Sequence, residues 1–266
     1  MREPIPGEKA GRNEQTNALN KKRNIPYDRG MYPLRYFPSG HVFIDPADDL
    51  DRVVDAMLET DYGEEFCVAG DFDGDFVIRL MEAGFLVMST DTEDGPGREP
   101  FFVLLPKLHL VRSVLFFPKL HVKKSIVGLL SRYELRADAD FDLILDNCVA
   151  THGADWLTPP LADLLKNLHR RADVRCRPVS FGVYRNGELK AGEIGIVAGR
   201  AYTSYSGYYG EANAGTVQMI LAARRLERDG FDFLDFGMPL DYKTDLGAEN
   251  ITPRHFVELF RSARRQ

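Results

Sequence analysis

Asp71, Asp73, Asp75 and Glu82 have the spacing of a calcium-binding loop, which makes them a first set of residues whose types suggest chemistry. That loop requires glycine at its sixth position. Phe76 stands there, and the intervening Val77-Ile78-Arg79-Leu80-Met81 reads as a helix, so calcium is rejected. Cys67, Cys148 and Cys176 are far apart and form no CxxC pair, and the histidines form no HxxxH, which argues against zinc. The cysteines' odd number argues against a disulfide framework and fits a reducing cytoplasm. Other candidates are single residues. On chemistry alone, Asp235 in an apolar run suits a structural cap or ion-pair partner. Tyr202, Tyr205, Tyr208 and Tyr209 each join an apolar ring to a polar tip, which suits a wet cleft or a half-exposed strand. Trp156, the single tryptophan, suits stacking on a base or filling the core.

The bulk numbers are those of an ordinary globular protein. The 266 residues are 44% hydrophobic and 28% charged, enough to bury a core without metals or disulfides. There is no run of about 18 apolar residues, so no membrane association is expected. Residues 1–30 are charged, have little to bury, and are expected to form a flexible tail. Net charge is −6, yet a local basic patch can still serve a nucleic acid. Lys107, Arg112, Lys119, Lys123, Lys124, Arg132 and Arg136 lie in one stretch against a single acid, Glu134. Such a stretch is either an RNA contact or a solvated face.

The elements that must position these residues follow from periodicity. Pro46–Thr60 and Gly70–Phe85 carry helical apolar stripes, the second capped by Asp73 and ended by Gly84. Thr92–Glu99 is polar and Gly/Pro-rich, and is taken as the joint between a small α/β domain (31–98) and a larger one (99–266). Two strand-like runs follow it, at 100–110 and 113–118. Helices are expected at 121–132, 141–152 and from the Thr158 cap to Asp173. Asn186-Gly187 between alternating runs is a hairpin signal. A third strand, a helix from an Asn213 cap to Gly230, the strand Phe231–Gly237 and a last helix complete the pattern. A meander, a helix, a strand and a helix make an α/β (α+β) domain of N-acetyltransferase-like type with a mostly antiparallel sheet.

Several motifs then resemble one family in order and spacing. Leu189-Lys190-Ala191-Gly192-Glu193-Ile194-Gly195 and Gly199 look like the hairpin Leu-x-Gly-Gly-x-x-Gly-x-x-x-Gly, followed without a gap by Asn213-Ala214. Leu234-Asp235-Phe236-Gly237 matches Ile-Asp-Cys-Gln. Asp245-Leu246-Gly247-Ala248 with Ile251-Thr252-Pro253-Arg254 matches Ser-Leu-Gly-Ala and Ile-Pro-Arg. Upstream, Val114–Pro118, His121-Val122 and Ser125 look like Val-Leu-x-Pro, His-x-Ser-x-Ser, and Trp156-Leu157-Thr158 sits at Thr-Trp-Ile-Thr. Over residues 64–260 the chain thus resembles the bacterial leucyl/phenylalanyl-tRNA–protein transferases.

The resemblance implies transfer of an amino acid from aminoacyl-tRNA to a protein N-terminus, a step of N-degron protein degradation. Aminolysis of an activated ester needs no cofactor. It needs mainly positioning, a polar group near the amine and a pocket for the side chain. The resemblance assigns Asp235 to the catalytic strand and puts the family's strand glutamate on Tyr205. The family's glutamine falls on Gly237, which offers no side-chain amide. Glu193 takes an apolar pocket position, with Tyr202, Gly207, Met219, Ala222 and Leu234 as further pocket positions and Trp156 against the terminal adenosine. Three readings of Glu193 stand open: it recovers the lost glutamate's role, it selects a polar or cationic donor, or it points to solvent. Alternation predicts Glu193, Gly195 and Val197 on one face, and the resemblance turns that face toward the pocket, which implies Asp235, Tyr202 and Tyr205 in the same acidic cleft. Lys119, Lys123 and Lys124 are expected to contact the acceptor arm, and the protein to be a monomer.

Two alternatives remain. An acyl-CoA enzyme would need a Gly-rich phosphate turn before Asn213, but the turn is Tyr208-Tyr209-Gly210-Glu211-Ala212, and Glu211 repels phosphate. A binding protein that kept the fold and lost the chemistry is compatible with Tyr205 and Gly237.

Overall fold

The structure is a computed structural model that describes residues 32–92, 101–171 and 176–265. The expected tail at 1–30 lies outside the described residues. The chain runs β1 (Arg35–Tyr36), β2 (Val42–Phe43), α1 (Leu50–Glu59), β3 (Cys67–Val68), α2 (Gly74–Glu82), β4 (Leu86–Thr92), β5 (Phe101–Lys107) and β6 (Arg112–Leu115). It continues through α3 (Lys124–Leu130), β7 (Glu134–Ala137), α4 (Phe141–His152), α5 (Pro159–His169), β8 (Cys176–Arg185), β9 (Glu188–Ala198) and β10 (Ala201–Tyr209). It closes with α6 (Ala214–Arg228), β11 (Phe233–Asp235), α7 (Asp241–Asp245), β12 (Glu249–Ile251) and α8 (Pro253–Arg264).

Seven strands form the main sheet in the order β12-β6-β11-β10-β9-β8-β7. β7 to β10 are an antiparallel meander. Its central hairpin turns on Asn186 and Gly187, both at positive φ (54° and 83°), the backbone that a two-residue turn of primed type requires. α6 then carries the chain over the sheet, so that β11 enters parallel to β10. β6 and β12 extend the sheet on the far side of β11, both pairs antiparallel.

Helices cover both faces, which is why β8 and β9 are buried almost without alternation. One core packs β8–β10 residues Cys176, Ile194 and Ile196 with α4, α5, α2 and α8, through Ile144, Leu165, Phe76 and Phe256. The second packs Val179, Phe181 and Tyr202 with α6 and α3, through Val217, Ile220 and Ile126. The first contains residues from both sides of the expected 92–99 joint, and Thr92 and Phe101, flanking that joint, are register partners in the β4–β5 pair.

Two expected caps differ in detail. Asp73 caps α2 through Phe76 N at 2.9 Å. Asn213 caps nothing with its side chain: it sits in the left-handed region at φ 65°, and only its carbonyl serves α6, accepting from Val217 N. Thr158 turns its hydroxyl to Ser89 Oγ, 2.7 Å away, tying α5 to β4 instead of capping it.

Candidate active site

The last register pair of the parallel strands is Thr203 with Asp235. Beyond it, β10 runs on to Tyr209 while β11 ends, and β10 carries a bulge between Ser204 and Ser206. The bulge sets Tyr205 out of register and increases the local twist, so the two strands part. A polar side chain stands on each face of the sheet at this parting.

On the α6 face, Glu193 is 4% exposed. Its carboxylate accepts from Tyr202 Oη at 2.6 Å and Ser204 Oγ at 3.2 Å. Gln218 of α6 approaches the same carboxylate, though its Nε2 meets no hydrogen-bond geometry. Burial raises the Glu193 pKa against the lowering effect of these neighbours and of Lys243. Gly195 makes the arrangement possible: a Cβ there would lie 2.3 Å from the Tyr202 ring. Tyr202, Ala222, Leu234 and the partly buried Met219 share this core, and a Cβ on Gly207 would lie 3.3 Å from that of Glu193. The reading in which Glu193 points to solvent is thereby excluded.

On the opposite face, Asp235 is fully buried. It accepts from Thr203 Oγ1 at 3.0 Å and from Gly237 N at 2.8 Å, and Arg112 Nη2 lies 3.4 Å from Oδ2. Arg112 is itself 1% exposed, donates to Gly84 O at 2.8 Å and stacks over Phe256 at 3.9 Å. Its Nε and Nη1 have no partner among the described residues. Burial lowers the Arg112 pKa, with Asp235 acting against it. His109 stands beside Gly237, and burial with the Arg112 and Lys107 charges takes its pKa down to about 3, so the imidazole is neutral. Tyr205 falls on this face with Trp156, ring centroids 5.8 Å apart, and its buried hydroxyl has no partner among the described residues. Thr203 and Tyr205 line an apolar slit of about 10 Å³ with Gly84 and Leu86.

The expectation of a single acidic cleft is therefore corrected. Tyr202 and Ser204, two apart on β10, serve Glu193, whereas Thr203 between them serves Asp235. Period-two alternation puts the two carboxylates on opposite faces of the sheet. A lysine that the sequence did not single out stands near both. Burial lowers Lys243 on α7 to about 8, with Asp235 and Glu193 acting against that shift.

The basic stretch is also changed by folding. Lys107 pairs with Glu65 at 2.9 Å, Lys119 with Glu249 at 2.5 Å, Lys123 with Asp245 at 2.6 Å and Arg136 with Glu134 at 2.7 Å, while Arg112 is inside. The excess along the chain is largely offset in space. Lys119, Lys123 and Lys124 are exposed, the first paired to β12 and the second to α7. A larger cleft of about 600 Å³ lies at the other end of β9, beside Gly199, and its Arg79, Arg264 and Asp51 are engaged with neighbouring groups of the protein.

Sequence reasoning missed Lys243, Arg112 as a buried group, His109, Ser204 and Gln218. Arg112 was visible only as one cation of a run. Nothing in Asp241–Asp245 marks its lysine as buried.

A meander joined by a helix to a parallel strand, with strands parting at that junction, defines an N-acetyltransferase-like fold. Residues 114–261 match the family described as leucyl/phenylalanyl-tRNA protein transferase. Leucyl/phenylalanyl-tRNA–protein transferases of Pseudomonas putida (strain W619) and Azotobacter vinelandii (strain DJ / ATCC BAA-1303) are 34% and 32% identical over 152 residues. Each match covers 55% of this chain and 66% of the relative, just under two thirds of its length. The crystal structure of FemX aligns over 86% of this chain and 85% of its own at 10% identity and a TM-score of 0.43. The chain belongs to the leucyl/phenylalanyl-tRNA–protein transferase family.

Proposed function

We propose that this protein moves an amino acid from charged tRNA to the N-terminal amine of a protein or peptide. The observation that carries the reading is the parting of β10 and β11 at Thr203–Asp235, flanked by Asp235, Tyr205 and Glu193, in a chain of this family. In the reaction the amine nitrogen bonds to the acyl carbon, the ester C–O bond breaks, the amine gives up a proton and the ribose hydroxyl takes one. Asp235, held by Thr203 and the Gly237 amide, and the Tyr205 hydroxyl are the polar groups proposed to act there.

The buried polar set around Glu193 supports a donor pocket altered from one for leucine or phenylalanine, since an unpaired carboxylate among apolar walls costs several kcal/mol. Tyr202, Gly207, Met219, Ala222 and Leu234 are its proposed walls. Trp156, packed on Tyr205, is proposed to stack on the terminal adenosine, worth about 1–3 kcal/mol. Lys119, Lys123 and Lys124 are proposed to meet tRNA phosphates. The exposed pairs of the first two are weak and exchange readily for phosphate. We read the protein as a monomer, and its three free, buried cysteines support a reducing, cytoplasmic compartment.

A second reading, a binding protein without transfer, is favoured by Gly237, which leaves no side-chain amide at the parting. Charged total tRNA with radiolabelled amino acids, offered with peptides varied at the first residue, separates the two. Label in peptide supports the transferase, and tRNA binding without transfer supports the second reading.

A further inference from the structure

Lys243 follows β11 on the short helix α7, and only 6% of it is exposed. A buried ammonium is costly unless its donors are met. Two of its three N–H groups are met by backbone: Nζ donates to Phe236 O at 2.7 Å and to Met238 O at 2.8 Å. Those carbonyls flank Gly237, whose own N–H goes to Asp235 Oδ1. Lys243 thus closes the chain leaving β11 into a turn, and this turn follows directly on Asp235, the last β11 residue in register with β10. Among the described residues no carboxylate oxygen reaches ion-pair distance of Nζ. Its charge nevertheless acts on Asp235 on one face and Glu193 on the other.

We propose that Lys243 is a positioning residue of this site, which fixes the wall at 236–238 and supplies one counter-charge shared by Glu193 and Asp235. A backbone-tethered cation serves this purpose better than a direct ion pair, because it stays in place when either carboxylate turns to a ligand. The groups that act on Glu193 come from each element around it: Tyr202 and Ser204 from β10, Gln218 from α6 and Lys243 from α7. Tyr242 and Cys148 feel the Glu193 charge in turn, and the Tyr242 ring lies 5.7 Å from Nζ. Lys243 is the cation of this set. Because burial brings it to about 8, the counter-charge is present at neutral pH and is lost above that value.

The role in transfer rests on the proposed function; the counter-charge does not, so the test has two independent arms. In the first, melting temperature is followed from pH 4 to 9 for wild type, Glu193→Gln, Lys243→Met and the double variant. The gap between each parent and its Glu193→Gln form reports the ionisation of Glu193. Removing the Lys243 charge raises the folded Glu193 pKa further, so the gap still opens from the ordinary 4.5 but is expected to level off at a higher pH and to grow larger in the Lys243→Met background. An unchanged gap overturns the shared counter-charge. If Lys243→Met fails to fold, Lys243→Gln keeps a donor for the carbonyls without the charge and carries the same comparison.

In the second arm, Lys243→Met is expected to lower kcat for transfer at least tenfold with a smaller change in KM, and Lys243→Arg to restore much of it. Transfer unchanged in Lys243→Met overturns the positioning role. If wild type transfers nothing, the proposed function fails, and the melting comparison still decides whether Lys243 is the counter-charge.

Discussion

The Tyr202 hydroxyl donates to the Glu193 carboxylate at 2.6 Å, across a gap in the sheet surface that exists because residue 195 is glycine. A Cβ at residue 195, as in Gly195→Ala, would lie 2.3 Å from the tyrosine ring and 2.7 Å from Thr203 O, so either the ring or strand β10 must move. Overpacking of this kind costs about 1–3 kcal/mol. Urea denaturation of Gly195→Ala is expected to show that loss, and a variant as stable as wild type would mean the ring does not lie over Gly195.

Glu193 also makes stability depend on pH. Its folded carboxyl holds the proton more tightly than the unfolded one, so stability falls as pH rises from the ordinary 4.5 through the raised value. Glu193→Gln removes that loss and can still accept from Tyr202. The variant should therefore gain on wild type as pH rises above 4.5, with little advantage below it. A constant gap in melting temperature across this range would show that Glu193 titrates normally.

Arg112 and Asp235 make a buried charged contact at 3.4 Å. Removing one partner strands the other, which typically costs about 3–5 kcal/mol, whereas removing both at similar volume costs far less. Arg112→Met is expected to be the less stable protein, and Arg112→Met with Asp235→Leu to recover part of the loss in guanidinium unfolding. Strict additivity of the two substitutions would mean the charges are not coupled.

Reversing Lys123 and Lys124 to glutamate should weaken tRNA binding and flatten its dependence on salt, since each lost phosphate contact removes about one unit from the slope of log K against log salt. Filter binding at several salt concentrations measures both quantities. Unchanged affinity would remove these lysines from the tRNA surface.

Much of this architecture was legible in the sequence, because the elements advertise themselves locally. The Asn186-Gly187 turn, the Asp73 cap and the meander followed by a helix and a strand all correspond to observed elements. The site was legible only in part. Glu193 and Tyr202 are hydrogen-bonded, and Tyr202, Ala222 and Leu234 share one core with Met219 packed against it. The placing of Asp235 beside Glu193 failed because face is set by register between strands, and the register Tyr202–Leu234 and Thr203–Asp235 is a tertiary fact. Lys243 was not found for a related reason. Its burial depends on carbonyls of the chain leaving β11, and a single lysine in a polar segment gives no periodic signal.

The central claim is that acyl transfer occurs at the parting of β10 and β11 with Asp235 taking part. The direct measurement is the single-turnover rate of transfer from aminoacyl-tRNA to a peptide amine, for wild type and Asp235→Asn, with tRNA affinity measured alongside. Asparagine keeps the shape and an acceptor for the Gly237 amide, and its amide nitrogen can donate to the Thr203 hydroxyl in place of accepting from it. The account predicts a fall of at least about 10²-fold in rate, the lower end of what a positioned acid–base group contributes, with tRNA affinity within a few-fold of wild type. An Asp235→Asn protein that transfers at the wild-type rate contradicts it.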